Sequence, residues 1–107
     1  MMNAHGTLFL GKTAPLAIRA ADGAFALTLL AFDRIGPHRV EPWRITWTGP
    51  EAEAFYTAQG SLLKAGQPVI ARLERMRTFT NGKFGASEIH AVVRALELAP
   101  HSHQTGL

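Results

Sequence analysis

A chain of 107 residues, 47% of them hydrophobic and 18% charged, is long enough for one core, too short for two, and too apolar to remain disordered. Cysteine is absent, which excludes disulfides and thiolate metal sites and leaves apolar burial to hold the fold. Eleven Lys and Arg against eight Asp and Glu give a formal net charge of +3 and a pI near 10.0, a balance that favours a polyanionic partner.

The first residues lack the basic stretch and apolar run of a signal peptide, and no segment has the roughly 18 apolar residues needed to span a bilayer. The expectation is a cytoplasmic protein without a membrane partner, with residues 1–6 a flexible N-terminus. Residues 7–12, TLFLGK, read as a short strand, with Gly11 allowing a bend or a close backbone approach. Residues 15–20 continue it beyond a break, and Asp22 and Gly23 supply a hairpin turn. Residues 24–32, AFALTLLAF, read as a largely buried strand. Residues 33–41, with Gly36 and Pro37 among charges, have loop composition.

Residues 43–48, WRITWT, form the clearest strand: period two sets Trp43, Ile45 and Trp47 on one face and Arg44, Thr46 and Thr48 on the other. Gly49 and Pro50 open a helix whose acidic first turn, Glu51 and Glu53, opposes the positive end of its dipole. Ala52, Phe55, Tyr56, Gln59 and Leu63 recur at helical spacing, and the helix weakens after Gln59 at Gly60. Residues 68–79 read as a long strand, Asn81 and Gly82 as a hairpin in a protruding TNGKFG stretch, and residues 87–98 as the last strand. Residues 100–107 are polar and expected to be a disordered tail.

That order implies a mainly β fold: a five-stranded Greek-key barrel of the OB type, over residues 7–99, with one α-helix between strands three and four. The stretches LFLGK, DGAFALTLLAF and the long run from Trp43 to Leu98 also resemble the bacterial single-stranded DNA-binding proteins and the related primosomal replication protein N. The resemblance covers nearly the whole chain but rests on spaced glycines, apolar strands and aromatics. It departs in three places: Leu73 stands where a glycine is usual, the segment 33–40 is short, and the tail HSHQTGL lacks the acidic, phenylalanine-ended tip through which those proteins recruit partners. An accessory or primosomal-type member fits those departures.

The resemblance implies a non-catalytic binder of single-stranded DNA, or of RNA, serving replication, recombination or mobile-element transfer. It also implies self-association as a dimer or tetramer and contact with replication proteins. Such binding needs cations along the phosphates and flat side chains under the bases. Arg72, Arg75 and Arg77 fall within six residues, and Arg34, Arg39 and Arg44 form a second group. The expected phosphate contacts are Arg44, Arg72, Arg75, Arg77 and Lys83, and the expected stacking residues are Trp43, Phe79 and Phe84.

Two of these assignments carry conflicts. Aligning Gly49 with the family's glycine puts Arg44 on the binding face and both tryptophans inside, with Trp43 able to reach the rim only from the strand start. Arg72 has the opposite parity to Arg75 and Arg77 unless a bulge intervenes. Phe79 falls about where the family carries a stacking tryptophan, and Phe84 lies across the Asn81-Gly82 turn. Histidines at 5, 38, 90, 101 and 103 have no cysteine or carboxylate completing a ligand set, so neither metal nor cofactor is expected. No nucleophile elbow, phosphate-cradling glycine loop or carboxylate pair suggests an enzyme. The alternative reading is a protein-interaction module of a replication or conjugation complex, with the same aromatics as interface anchors.

Overall fold

The computed structural model describes residues 3–36, 39–81 and 86–100. Its elements run β1 (Asn3–Leu10), β2 (Leu16–Arg19), β3 (Phe25–Gly36), β4 (Arg39–Thr48), α1 (Pro50–Gln59), a 3₁₀ turn at Gly60–Leu62, β5 (Pro68–Asn81) and β6 (Ala86–Leu98). The sheet order is β1-β5-β6-β4-β3-β2. β1 also pairs with β3, through Phe9 with Phe32 and Leu10 with Ala31, so five strands close into a ring and β2 lies on β3 outside it. Four ring pairings are antiparallel, and β4 runs parallel to β6 from Trp43 beside Ile89 to Thr46 beside Val92. The expected mainly β, five-stranded Greek-key barrel is therefore the fold, with its helix between the third and fourth strands of the ring.

Three boundaries differ from the sequence expectation. β1 begins at Asn3 and pairs with β5 from Glu74 down to Pro68, so residues 3–6 are strand. The stretch past the break in β1 is a separate short strand, β2, paired with β3 around a turn in which the Gly23 N–H donates to the Ala20 carbonyl. The expected loop over 33–41 is mostly ladder, because β3 continues to Gly36 and β4 starts at Arg39, with the register stepping once between Arg34 and Gly36. Cross-strand pairs such as Asp33 with Glu41 and Arg34 with Val40 hold polar residues in a ladder that composition alone does not reveal. Residues 37, 38 and the tail from 101 lie outside the described residues.

The core follows from strand alternation. Leu27, Leu29 and Ala31 of β3, Ile45 and Trp47 of β4, Val69, Ala71 and Leu73 of β5, and Ala91 and Val93 of β6 are all buried at every second position. The helix closes one end of the barrel: Ala52 is fully buried, the Phe55 ring lies 5.4 Å from Trp47, and Tyr56 lies 6.0 Å from Phe25. Tilted aromatic pairs at such distances add about 0.5–1.5 kcal/mol each beyond the area they bury.

Gly49 makes the strand-to-helix turn at φ 105°, ψ −176°, a conformation open to glycine and almost no other residue. A Cβ there would meet no atom within 4 Å, so the requirement is the backbone's own. Gly49→Ala is expected to destabilise the fold by about 1–3 kcal/mol in urea unfolding. A change below about 0.3 kcal/mol would show that the turn relaxes freely. At Gly11 the constraint is contact: a Cβ would lie 2.6 Å from the Phe32 ring, in keeping with the close approach expected there.

Candidate nucleic-acid interface

The outer faces of β4, β6 and β5 bring together residues far apart in sequence. Arg44 on β4 stands beside His90 on β6, and His90 stands beside Arg77 on β5. One row across three strands thus carries Arg44, His90 and Arg77. In the next row Phe79 is the cross-strand partner of Glu88. The Phe79 ring lies over the His90 imidazole, centroids 4.1 Å apart and planes 29° from parallel, and is 46% exposed. An aromatic held by a neighbour on one side and open to solvent on the other is a stacking platform.

A bulge in β5 decides which arginines join this row. Glu74 pairs with Val92 and Arg77 with His90, so β5 advances three residues while β6 advances two. Within the bulge, Arg75 takes φ 54°, in the left-handed region. Inward parity passes from Leu73 to Met76, which packs on the core, and Arg77 and Phe79 turn outward. Arg75 and Arg77 are exposed and line a hollow of about 270 Å³ with Arg44, Thr46, Phe79, His90 and Val92. No carboxylate among the described residues lies within ion-pair distance of Arg75 or Arg77.

Arg72 is not part of that group. It lines a separate hollow with His5, Ile70, Ala95 and Glu97, and Glu74, 3.7 Å from Arg94, lies between it and the bulge. The bulge therefore restores the outward parity of Arg72 relative to Arg77 while the two serve different parts of the face. Arg34 sits over the Phe9 ring, 4.8 Å from its centroid, away from the row.

Trp43 and Trp47 go inward. Trp47 is buried, and Trp43 is half-buried against the core with its indole Nε1 buried and, among the described residues, without a hydrogen-bond partner. Trp43 is therefore not presented beside Arg44, because adjacent residues of a strand point to opposite sides. Phe79, expected on a protruding loop, lies within the body of β5, which runs on to Asn81. Lys83 and Phe84 lie outside the described residues.

Glu88 and His90 are the site members the sequence reading passed over. Glu88 Oε1 accepts from Arg44 Nε at 2.9 Å and lies 2.6 Å from His90 Nε2. The Arg44 hydrogen bond, then that of His90, holds the Glu88 carboxyl below its ordinary value. A depressed carboxyl stabilises the fold above its unfolded-state pKa, and this contribution is lost as the pH falls through the folded value. Both side chains are about a third exposed or more, so the pair adds little to stability. Its consequence is local: a fixed anion against Arg44, in the row adjoining Arg77. The alternation of 87–98 could have placed 88, 90 and 92 outward opposite 91 and 93. Their meeting with Arg44 depends on the parallel β4–β6 pairing, which no local pattern shows.

Among the described residues no helix is long and apolar enough to cross a membrane, and no group of three metal-ligating side chains occurs. No protein-family model matches the sequence, and no curated protein matches it. Solved structures do match. The SSB domain of a Synechococcus protein superposes with a TM-score of 0.62 at 13% identity, covering 91% of this chain and 94% of that one. The mitochondrial single-stranded DNA-binding protein of S. cerevisiae gives 0.65 at 12% identity, over 94% and 97%. The Thermus aquaticus single-stranded DNA-binding protein gives 0.61 at 20% identity over 95% of this chain, which spans about half (52%) of that longer protein. The chain thus has the OB fold in the form seen in those three structures.

Proposed function

We propose that this protein is a non-catalytic binder of single-stranded DNA, using the β4–β6–β5 face. The observation that carries the reading is the row Arg44, His90 and Arg77 with Arg75 beside it and the open Phe79 ring in the adjoining row. Cations spaced along a groove suit phosphates, and an aromatic with a free face suits a base of any identity. Solved proteins of this fold are described as single-stranded DNA-binding, which supports the reading. A role in replication, recombination or mobile-element transfer within the cytoplasm, of primosomal or accessory type, goes with it. Arg72, in its own hollow, and Lys83 are proposed as further phosphate contacts, and Phe84 as a further stacking residue, on the sequence reading alone.

The test is a titration of labelled oligothymidine at low salt, followed by anisotropy. Binding should weaken with salt at a slope of about −0.7 per phosphate neutralised, so about −1.4 for Arg75 and Arg77, the two arginines of the group without a carboxylate partner among the described residues. Absence of binding at about 50 mM salt would sink the proposal. Intrinsic fluorescence is a poor reporter here, because both indoles face inward.

A second reading has its own observation. β2 is the terminal strand of the sheet and exposes Leu16 and Ile18, each more than half accessible. An unpaired edge with apolar side chains suits another chain, either a second copy in a dimer or tetramer or a replication partner. Under that reading alone the titration shows no binding.

A further inference from the structure

The anion at Glu88 sits where a phosphate would otherwise be drawn by Arg44. It therefore divides the face in two. On the β5 side, Arg75 and Arg77 are cations with no carboxylate partner among the described residues. On the other side, a hollow of about 340 Å³ is bounded by Pro42, Arg44, Phe79, Ser87, Glu88 and His90. A phosphate entering that hollow would meet the ionised carboxylate at close range, and like charges at such distances repel. A base entering it would meet the open face of Phe79.

The carboxylate is also half-used. Oε1 takes both Arg44 and His90, and among the described residues Oε2 has no donor. A carboxylate oxygen accepts hydrogen bonds and cannot donate while ionised. Of the bases, cytosine and adenine carry an exocyclic amino donor where thymine and uracil carry a carbonyl oxygen, and guanine carries its amino group at position 2. The N3–H of thymine and uracil is flanked by two carbonyl oxygens that an ionised carboxylate repels. Glutamate accepting from the cytosine amino group is a recurring form of base readout.

We propose that this hollow takes a base with an exocyclic amino group, stacked on Phe79 and donating to Glu88 Oε2, while the backbone passes along Arg75 and Arg77. The inference rests on the single-stranded DNA-binding reading above. It makes Glu88 a specificity residue within an otherwise sequence-tolerant face, with cytosine favoured over thymine, two bases of nearly the same size. Arg44 and His90 act as positioning residues, holding the carboxylate ionised and aimed.

The experiment compares oligodeoxycytidine with oligodeoxythymidine, each of about a dozen nucleotides, near pH 8 for the protein and for Glu88→Gln and Glu88→Ala. The unaltered protein should bind the cytidine strand about three- to tenfold tighter, the effect of one hydrogen bond kept or lost. Both variants should bring that ratio close to one, and circular dichroism should show them folded. Equal affinities for the two strands with the unaltered protein would overturn the inference and leave the binding reading standing. A gain in affinity for both strands by the same factor in Glu88→Gln, with the ratio kept, would reduce Glu88 to a competitor for the cations and would also overturn it. No binding of either strand removes the reading and the inference together.

Discussion

Replacing Phe79 by alanine is expected to lower the affinity for single-stranded DNA by about 1–3 kcal/mol, roughly five- to 150-fold, the range for one base–aromatic stack. The ring is 46% exposed and stacks on His90, so the fold loses little when it goes. The salt dependence separates this effect from charge loss. Phe79→Ala should leave the slope of log affinity against log salt unchanged, since no phosphate contact is removed. Arg77→Gln should instead flatten it by about 0.7 while weakening binding more modestly. Phe79→Tyr should retain most of the affinity. Binding by Phe79→Ala within about twofold of the unaltered protein would show that the ring does not lie under a base.

The largest effect on stability should come from Leu27→Ala. Leu27 is fully buried in β3, its ladder partners are Trp47 on one side and Ala17 on the other, and it shares the core with Ile45 and Val69. Truncation there removes the transfer energy of the lost methyls and leaves a cavity that neighbouring strands cannot close, for a loss of about 2–5 kcal/mol. Against a total of about 5–15 kcal/mol for a domain, much of the native population is at stake. Urea unfolding should show the midpoint lowered with the slope unchanged. A shift worth less than about 1 kcal/mol would mean the barrel is not packed through Leu27.

The fold was legible because its signals are local. Alternation marks Trp43, Ile45 and Trp47 as one face, Gly49 and Pro50 mark the start of the helix, and Asp22 and Gly23 mark a turn. The exceptions have physical reasons. The ladder of residues 33–36 with 39–41 defies its polar composition because cross-strand hydrogen bonds satisfy the backbone whatever the side chains. The candidate surface was legible in part. Arg44, Arg75, Arg77 and Phe79 share a surface, and the inward parity of Trp43 follows from that of Ile45. The outward parity that Arg72 shares with Arg77 turned on a bulge, which depends on strand register more than on residue type, and Arg72 still lines another hollow. Glu88 and His90 were missed because a charged residue in a last strand is ordinarily solvated. Only the barrel's closure brings them against Arg44.

The parallel alignment of β4 with β6 also sets the order in which the protein can form. Trp43 and Ile89 are 46 positions apart (89 − 43), with a helix and a whole strand between them. The β3–β4 and β5–β6 hairpins need only nearby partners and can assemble early. The ring waits for the two hairpins to dock, a step that closes a long loop before any contact rewards it and that places such barrels in the millisecond-to-second range of folding times. On the ribosome the consequence is sharper. Until β6 has emerged, β4 and β5 each lack a neighbour, and the surface that would carry Arg44, His90 and Arg77 in one row does not yet exist.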